Sequence, residues 1–263
     1  MFIYVDTCFL SGDRVVNVTT RVKQVSQPRG GYINPKMLKI TEFDDGKVLG
    51  QECIHPTTMG MIVDYLTRWQ YGDKIDDAFQ ISIFGGIRSG KLTECMGYVN
   101  GIVDMSDDSI LNACKAVTFD SYTRTGMPPT IMPEDISIDH NTCENVRIMV
   151  ERGVRFLKEY GPIIESGFRF PGGYTNTVDS GDGDFITKDT LWDFKVSKNP
   201  PTKDHTLQLA MYYLMGKHSI NDVFDDISKI GIYNPRLDRM YTLDMDEVDS
   251  SVIGSIEKDV IGY

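Results

Sequence analysis

The chain has 263 residues, 41% of them hydrophobic, a formal net charge of −11 and five cysteines. This length and apolar content provide for one large domain or a core with an appended lobe, and they exclude a collagen, a coiled-coil rod and an extended disordered chain. No apolar run approaches the ~20 residues that span a bilayer, and Met1-Phe2-Ile3-Tyr4-Val5-Asp6 lacks the basic region and apolar stretch of a signal peptide, so a cytoplasmic protein with no membrane partner is expected.

The cysteines, Cys8, Cys53, Cys95, Cys114 and Cys143, are odd in number and scattered, which indicates neither a disulfide framework nor a zinc site. Up to about Cys53 the chain reads as β-rich. Phe2-Ile3-Tyr4-Val5, Arg14-Val15-Val16-Asn17-Val18 and Met37-Leu38-Lys39-Ile40 are strand candidates, and Asp44-Asp45-Gly46 supplies a turn before Lys47-Val48-Leu49. From Pro56 the period changes: Met59, Ile62, Val63, Leu66 and Trp69 recur at helical spacing behind a Thr57 cap. Gly85-Gly86-Ile87-Arg88-Ser89-Gly90-Lys91 is not a phosphate-binding loop, because Leu92 stands where Ser or Thr is required. A helix is predicted over residues 110–118, and Pro128-Pro129 and Pro133 interrupt the chain as a linker or lid. The expected division is an N-terminal β-rich and helical lobe, residues 1–133, and a core, residues 134–263.

The core opens with a predicted helix over residues 142–160, with Val146, Val150, Leu157 and Tyr160 inward and Glu144, Arg147, Glu151, Arg155 and Lys158 on the polar side. Pro162-Ile163-Ile164-Glu165-Ser166-Gly167-Phe168 is strand-like. Next, Phe185-Ile186-Thr187 and Leu191-Trp192-Asp193-Phe194-Lys195-Val196 read as a hairpin joined at Lys188-Asp189-Thr190. Alternation puts Asp193 and Lys195 on one face and Trp192, Phe194 and Val196 on the other. The hairpin also carries Asp184 towards Asp193, which places two hard oxygen donors and an ammonium in one small volume. Such carboxylates suit Mg2+ or Mn2+, and the lysine is placed to orient or deprotonate a water attacking a phosphate. From Thr206 a further helix shows Leu207, Ala210, Met211 and Leu214 as its apolar stripe, while Gln208 and Tyr212, four apart, share a face. Ile230-Gly231-Ile232-Tyr233 is a strand ending at Asn234-Pro235, and an acidic run from Asp244 leads into a closing helix.

The ordered set Gly181-x-x-Asp184, Asp193-Phe194-Lys195 and Gln208-x-x-x-Tyr212 resembles the core of the PD-(D/E)XK nucleases, specifically their RecB-like branch. The resemblance covers about a third of the chain. It implies an α/β fold, a restriction-endonuclease-like mixed central sheet flanked by helices. It also implies that Asp184, Asp193 and the Phe194 carbonyl hold Mg2+ or Mn2+, that Lys195 acts on the attacking water, and that Gln208 and Tyr212 orient nucleic acid and the lysine. The family's upstream acid falls to Glu151 or Glu165. His55, before the first long helix, is a further candidate because such proteins often place a histidine in an early helix. No cysteine follows Cys143, so the iron–sulfur cluster of some relatives is not expected. The implied activity is metal-dependent hydrolysis of phosphodiesters, with DNA the favoured substrate, in processing, repair or defence. A helicase or other protein partner is part of that expectation. The charge of −11 opposes nonspecific attraction to a polyanion. Contact with DNA must therefore rest on local basic residues, of which Arg147, Arg152, Arg155, Lys158, Arg169, Lys188, Lys195, Lys198 and Lys203 lie in or near the core. The rival reading is a catalytically silent binding or inhibitory protein on the same scaffold, or a subunit active only in a larger complex.

Overall fold

The computed structural model describes residues 15–263. Elements run in the order β1 (Val16–Asn17), α1 (Val18–Gln24), β2 (Lys39–Glu42), α2 (Pro56–Tyr71), α3 (Ile75–Ala78), α4 (Gln80–Arg88), α5 (Leu92–Asn100), α6 (Asp107–Ala116), α7 (Asp120–Arg124) and α8 (His140–Tyr160). They continue with β3 (Glu165–Ser166), β4 (Val178–Ser180), β5 (Phe185–Ile186), β6 (Thr190–Phe194), α9 (Lys203–Lys217), β7 (Lys229–Asn234), β8 (Arg239–Asp244) and α10 (Ser250–Ser255). The expected strand at residues 2–5, the first residue of the next expected strand, Arg14, and Cys8 lie outside the described residues.

A six-stranded mixed sheet, ordered β2-β8-β7-β6-β5-β3, is the frame. Only β6 and β7 pair in parallel within it, joined by the α9 crossover, and the remaining neighbours are antiparallel. The sheet is open, with β2 and β3 as its edges. On one face α9 packs with α1 and the closing C-terminal helix, burying Leu207, Ala210 and Met211 against Leu191, Ile230 and Ile232. On the other face α8 lays Phe156 against the sheet. Its ring stacks on Tyr233 at 4.0 Å between centroids and meets Trp192 edge-on at 4.9 Å, the offset and T-shaped geometries that aromatic quadrupoles favour.

A second core lies among the helices, where Met59, Ile62, Val63 and Leu66 of α2 meet Val146, Met149 and Val150 of α8. Gly153 makes this approach possible, since a Cβ there would stand 2.8 Å from Thr67 Oγ1. Helix α8 therefore belongs to both cores, and it fixes α2 relative to the sheet.

The β-rich reading of residues 15–53 needs correction. Val18 begins a helix instead of ending a strand, residues 35–37 form a 3-10 turn, and Lys47-Val48-Leu49 is not a strand. Helix α8 bonds the backbone at both ends of this stretch: Arg152 Nη2 donates to the Lys47 carbonyl at 2.8 Å, and Gly50 N donates to Asn145 Oδ1 at 2.8 Å. A segment whose polar backbone is bonded by side chains has no need of a neighbouring strand. Two strands do form there: β1, which pairs in parallel with β4, and β2, which joins β8 at the edge of the main sheet.

Among the described residues no helix is long and apolar enough to cross a membrane. The described cysteines are unbridged, with Cys95, Cys114 and Cys143 buried and Cys53 exposed.

Candidate functional site

The β5–β6 hairpin forms as expected. Phe185 pairs with Trp192 and Ile186 with Leu191, and Thr187 N closes the turn on the Thr190 carbonyl at 3.0 Å. Continuing that register sets Asp184 opposite Asp193. Asp184 Oδ2 accepts from the Phe194 amide at 2.6 Å, so the first aspartate is bonded to the backbone of the second strand. Gly183 must be glycine for this approach, because a Cβ there would stand 1.9 Å from Phe168 Cζ.

Asp193 occupies the middle of the sheet, only 4% exposed. Strands are depleted in aspartate, and a central one that keeps it breaks a local rule of the kind functional sites break. Its Oδ1 lies 2.9 Å from Lys195 Nζ, while its Oδ2 is buried with no hydrogen-bond partner among the described residues. The apolar face behaves as alternation predicts: Trp192 packs on Phe156, and Phe194 and Val196 rest on the helical core.

Asp64 approaches the pair from α2. It lines a cleft of about 140 Å³ together with Asp182 and Asp184, and its charge acts on Asp184. Burial is the main force on the Asp184 carboxyl. The negative charges of Asp193 and Asp64 add to it and Lys195 opposes it, which leaves Asp184 raised to about 7. On Lys195, burial works against the charge, but Asp193 and Asp184 outweigh it and hold the ammonium above its usual range. Asp64 was not legible in the sequence. It borders the apolar stripe of α2 and forms an i,i+4 pair with Arg68 at 3.3 Å, a pattern that any solvated helix shows.

Gln208 and Tyr212 share a face of α9 as expected, with Gln208 Nε2 donating to Tyr212 Oη at 2.9 Å. The Tyr212 ring is buried against Phe170 and Phe168. Burial raises its phenol well above the usual range, with Asp193 and Asp184 contributing, so the hydroxyl stays protonated. His205 also joins the neighbourhood. It closes a capping box with Thr202 at the start of α9, and burial followed by the Lys195 charge depresses it.

Other candidates stand elsewhere. Glu151 is exposed on α8 and pairs with Lys47. Glu165, on the β3 edge, accepts from Asn221 Nδ2 at 3.2 Å. The structure brings neither to the Asp184–Asp193 pair. His55 is the N-cap of α2, its Nδ1 accepting from the Thr57 amide at 3.2 Å, so it replaces Thr57 as the cap. Several of the basic residues counted towards DNA contact are committed to internal pairs: Arg147 with Asp107 and Glu144, Arg152 with Asp45, and Arg155 with Asp238.

Among the described residues no group of three or more His, Cys, Asp or Glu side chains is arranged as a metal cage. The site nevertheless fits a hard cation that keeps most of its waters and takes one or two carboxylates, as Mg2+ does. The fit rests on the orphaned Oδ2 of Asp193, an acceptor that a fold does not leave buried without cost. It also rests on the disfavoured negative charge of Asp184, which a cation would relieve.

The elevated Asp184 has a measurable consequence. In the unfolded chain the group titrates near 3.8, and in the fold near 7. Between those values the folded state binds more protons, so the metal-free protein is expected to lose stability as pH rises from about 4 to about 7. Asp184→Asn should flatten that dependence. Mg2+ should oppose it, releasing a proton from Asp184 on binding near pH 6. Denaturant midpoints against pH, with calorimetry in buffers of different ionisation enthalpy, check both. A wild-type profile parallel to that of Asp184→Asn would contradict this account of the carboxyl.

Comparison of the chain with protein-family models, with curated proteins and with solved structures returned no match.

Proposed function

We propose that this chain is a metal-dependent phosphodiester hydrolase of the PD-(D/E)XK class, RecB-like in its motifs, acting on nucleic acid with DNA the favoured substrate. The observation that carries the reading is the β5–β6 hairpin, which gathers Asp184, Asp193 and Lys195 and leaves Asp193 Oδ2 without a partner among the described residues. The order β2-β8-β7-β6-β5-β3, with α8 and α9 on opposite faces, supports a restriction-endonuclease-like core.

Asp184 and Asp193 are the residues to hold Mg2+ or Mn2+, with the Phe194 carbonyl beside them and Asp64 in place of Glu151 or Glu165 as the acid from the upstream helix. The bound ion would supply charge neutralisation at the phosphoryl oxygens and a more acidic water. The chain's own contribution is positional. Asp193 holds Lys195 Nζ at 2.9 Å, and since both carboxylates keep that ammonium protonated, Lys195 acts by donating to the attacking water or a phosphoryl oxygen and not by removing a proton. The Gln208–Tyr212 pair stiffens the α9 face beside this group.

The test is cleavage of labelled linear duplex DNA, circular single-stranded DNA and RNA with Mg2+, with Mn2+ and with chelator. Metal-dependent cutting of a polynucleotide is the expected result, and the susceptible substrate separates end-directed from internal cleavage. A protein that binds metal in calorimetry yet cuts nothing would favour the subunit reading, in which a helicase or other partner completes the activity. One that neither binds metal nor cuts would leave the silent binding protein.

A further inference from the structure

We infer that Arg124, at the end of α7, grips a non-bridging phosphate oxygen of the nucleic-acid strand in the cleft facing Asp184. The inference rests on the proposed nuclease reading and adds to it a substrate-contacting residue outside the hairpin and α9.

Arg124 lines the same cleft as Asp64, Asp182 and Asp184. Its guanidinium is held from behind. Nη2 donates to Tyr65 Oη at 3.3 Å, and Nε stands 3.6 Å from the buried carboxylate of Asp120. Yet Asp120 does not depend on Arg124 for its hydrogen bonds. Tyr65 Oη and Ser82 Oγ each donate to it at 2.6 Å, whereas 3.6 Å is too long for one from Nε. The arginine side chain remains 54% exposed, and its Nη1 has no partner among the described residues. An arginine present only to neutralise Asp120 has no reason to keep a free edge towards the cleft.

The other cation there differs. Arg68 is 19% exposed, and Asp64 and the Ala78 carbonyl take its donors. A phosphate entering beside Asp182 and Asp184 meets two acids, and of the two arginines lining this cleft Arg124 is the one with donors left to receive it. Planar donors suit a phosphate, and the hydrogen bond to Tyr65 Oη, with the charge of Asp120 behind it, orients the guanidinium before substrate arrives.

The test uses the full chain, with Arg124→Gln and Arg124→Lys, the latter keeping a positive charge beside Asp120 in case glutamine loosens the fold. Cleavage is measured as kcat/KM. Binding of a labelled single-stranded oligonucleotide is measured against salt in the Lys195→Ala background, where cutting is expected to be slow enough for binding to be read. Arg124→Gln should lower kcat/KM by about tenfold or more, and should lessen the slope of log affinity against log salt by about 0.7, the value of one lost phosphate contact on a single strand. Arg124→Lys should keep most of the slope while recovering only part of the rate. Cleavage and salt slope unchanged in Arg124→Gln, with the parent protein active, would overturn the role of Arg124 and leave the nuclease reading intact. If the parent binds the strand but does not cut it, hydrolysis fails while the slope still decides on Arg124. A parent that binds no oligonucleotide removes both.

Discussion

Lys195→Ala is expected to reduce metal-dependent cleavage by about 10²–10⁴-fold, the range over which positioned proton donors and acceptors act. The variant removes the partner that Asp193 Oδ1 has among the described residues while leaving the hairpin register untouched. Asp193→Asn should be at least as damaging, because it removes a cation ligand as well as the anchor for Nζ. The two losses should not add: if Asp193 acts partly by holding Lys195, the double variant will resemble the worse single one. Single-turnover rates at saturating Mg2+, alongside circular dichroism to confirm folding, make the measurement. Rates within a few-fold of wild type in both single variants would remove this pair from the chemistry. A carboxylate buried in the central strand with one oxygen unpartnered would then need a purely structural account.

What the sequence revealed of this site depends on how far each signal reaches. Strand alternation and i,i+4 spacing are local, so the Asp193–Lys195 face and the Gln208–Tyr212 pair were legible without any knowledge of packing. The hairpin was legible for the same reason, since its turn lies within a few residues of both strands. Asp64 and Arg124 reach the cleft only because α8 carries α2 against the sheet, a contact between segments some ninety residues apart that no local period records. Glu151 satisfied every local requirement for an upstream acid and still faces solvent, because the rotation of α8 is set by Phe156 and Val150 and not by charge. The β-rich reading of residues 15–53 failed for a related reason. After the turn at Asp44-Asp45-Gly46 the chain is bonded by α8 side chains, at the Lys47 carbonyl and the Gly50 amide, and not by a described strand.

The same dependence on α8 makes Arg152 the side chain whose loss should cost the fold most. Its guanidinium donates from Nε and Nη2 to both oxygens of Asp45, at 2.8 and 2.6 Å, and to the carbonyls of Lys47 and Pro235 at 2.8 and 3.1 Å. It also lies 3.5 Å from Asp238, which is buried and already bonded by Arg155 and by Tyr233 Oη. One buried cation thus joins α8 to the 43–50 segment and to the β7–β8 turn. Arg152→Met would keep the apolar stem but strand Asp45 and two carbonyls, and breaking one side of a buried pair costs about 3–5 kcal/mol. The hydrogen bond from Arg152 is the chief cause holding Asp45 far below the usual carboxylate range. A depressed carboxylate stabilises the fold above its unfolded pKa, and that contribution is lost as pH falls towards the folded value. The gap between wild type and Arg152→Met in urea denaturation should therefore be full near pH 7 and begin to narrow only below about 4, where Asp45 of the variant takes up its proton. A gap that stays constant into the acid range would assign the loss to packing and carbonyl bonds, with the Asp45 charge contributing little. Tyr233 ties this network to the site, since its hydroxyl donates to the Arg152 carbonyl at 3.0 Å and its own carbonyl accepts from the Lys195 amide at 3.0 Å. Cleavage by Arg152→Met should accordingly fall with the folded fraction and recover at lower temperature, unlike the loss in Lys195→Ala, which no stabilising condition should restore.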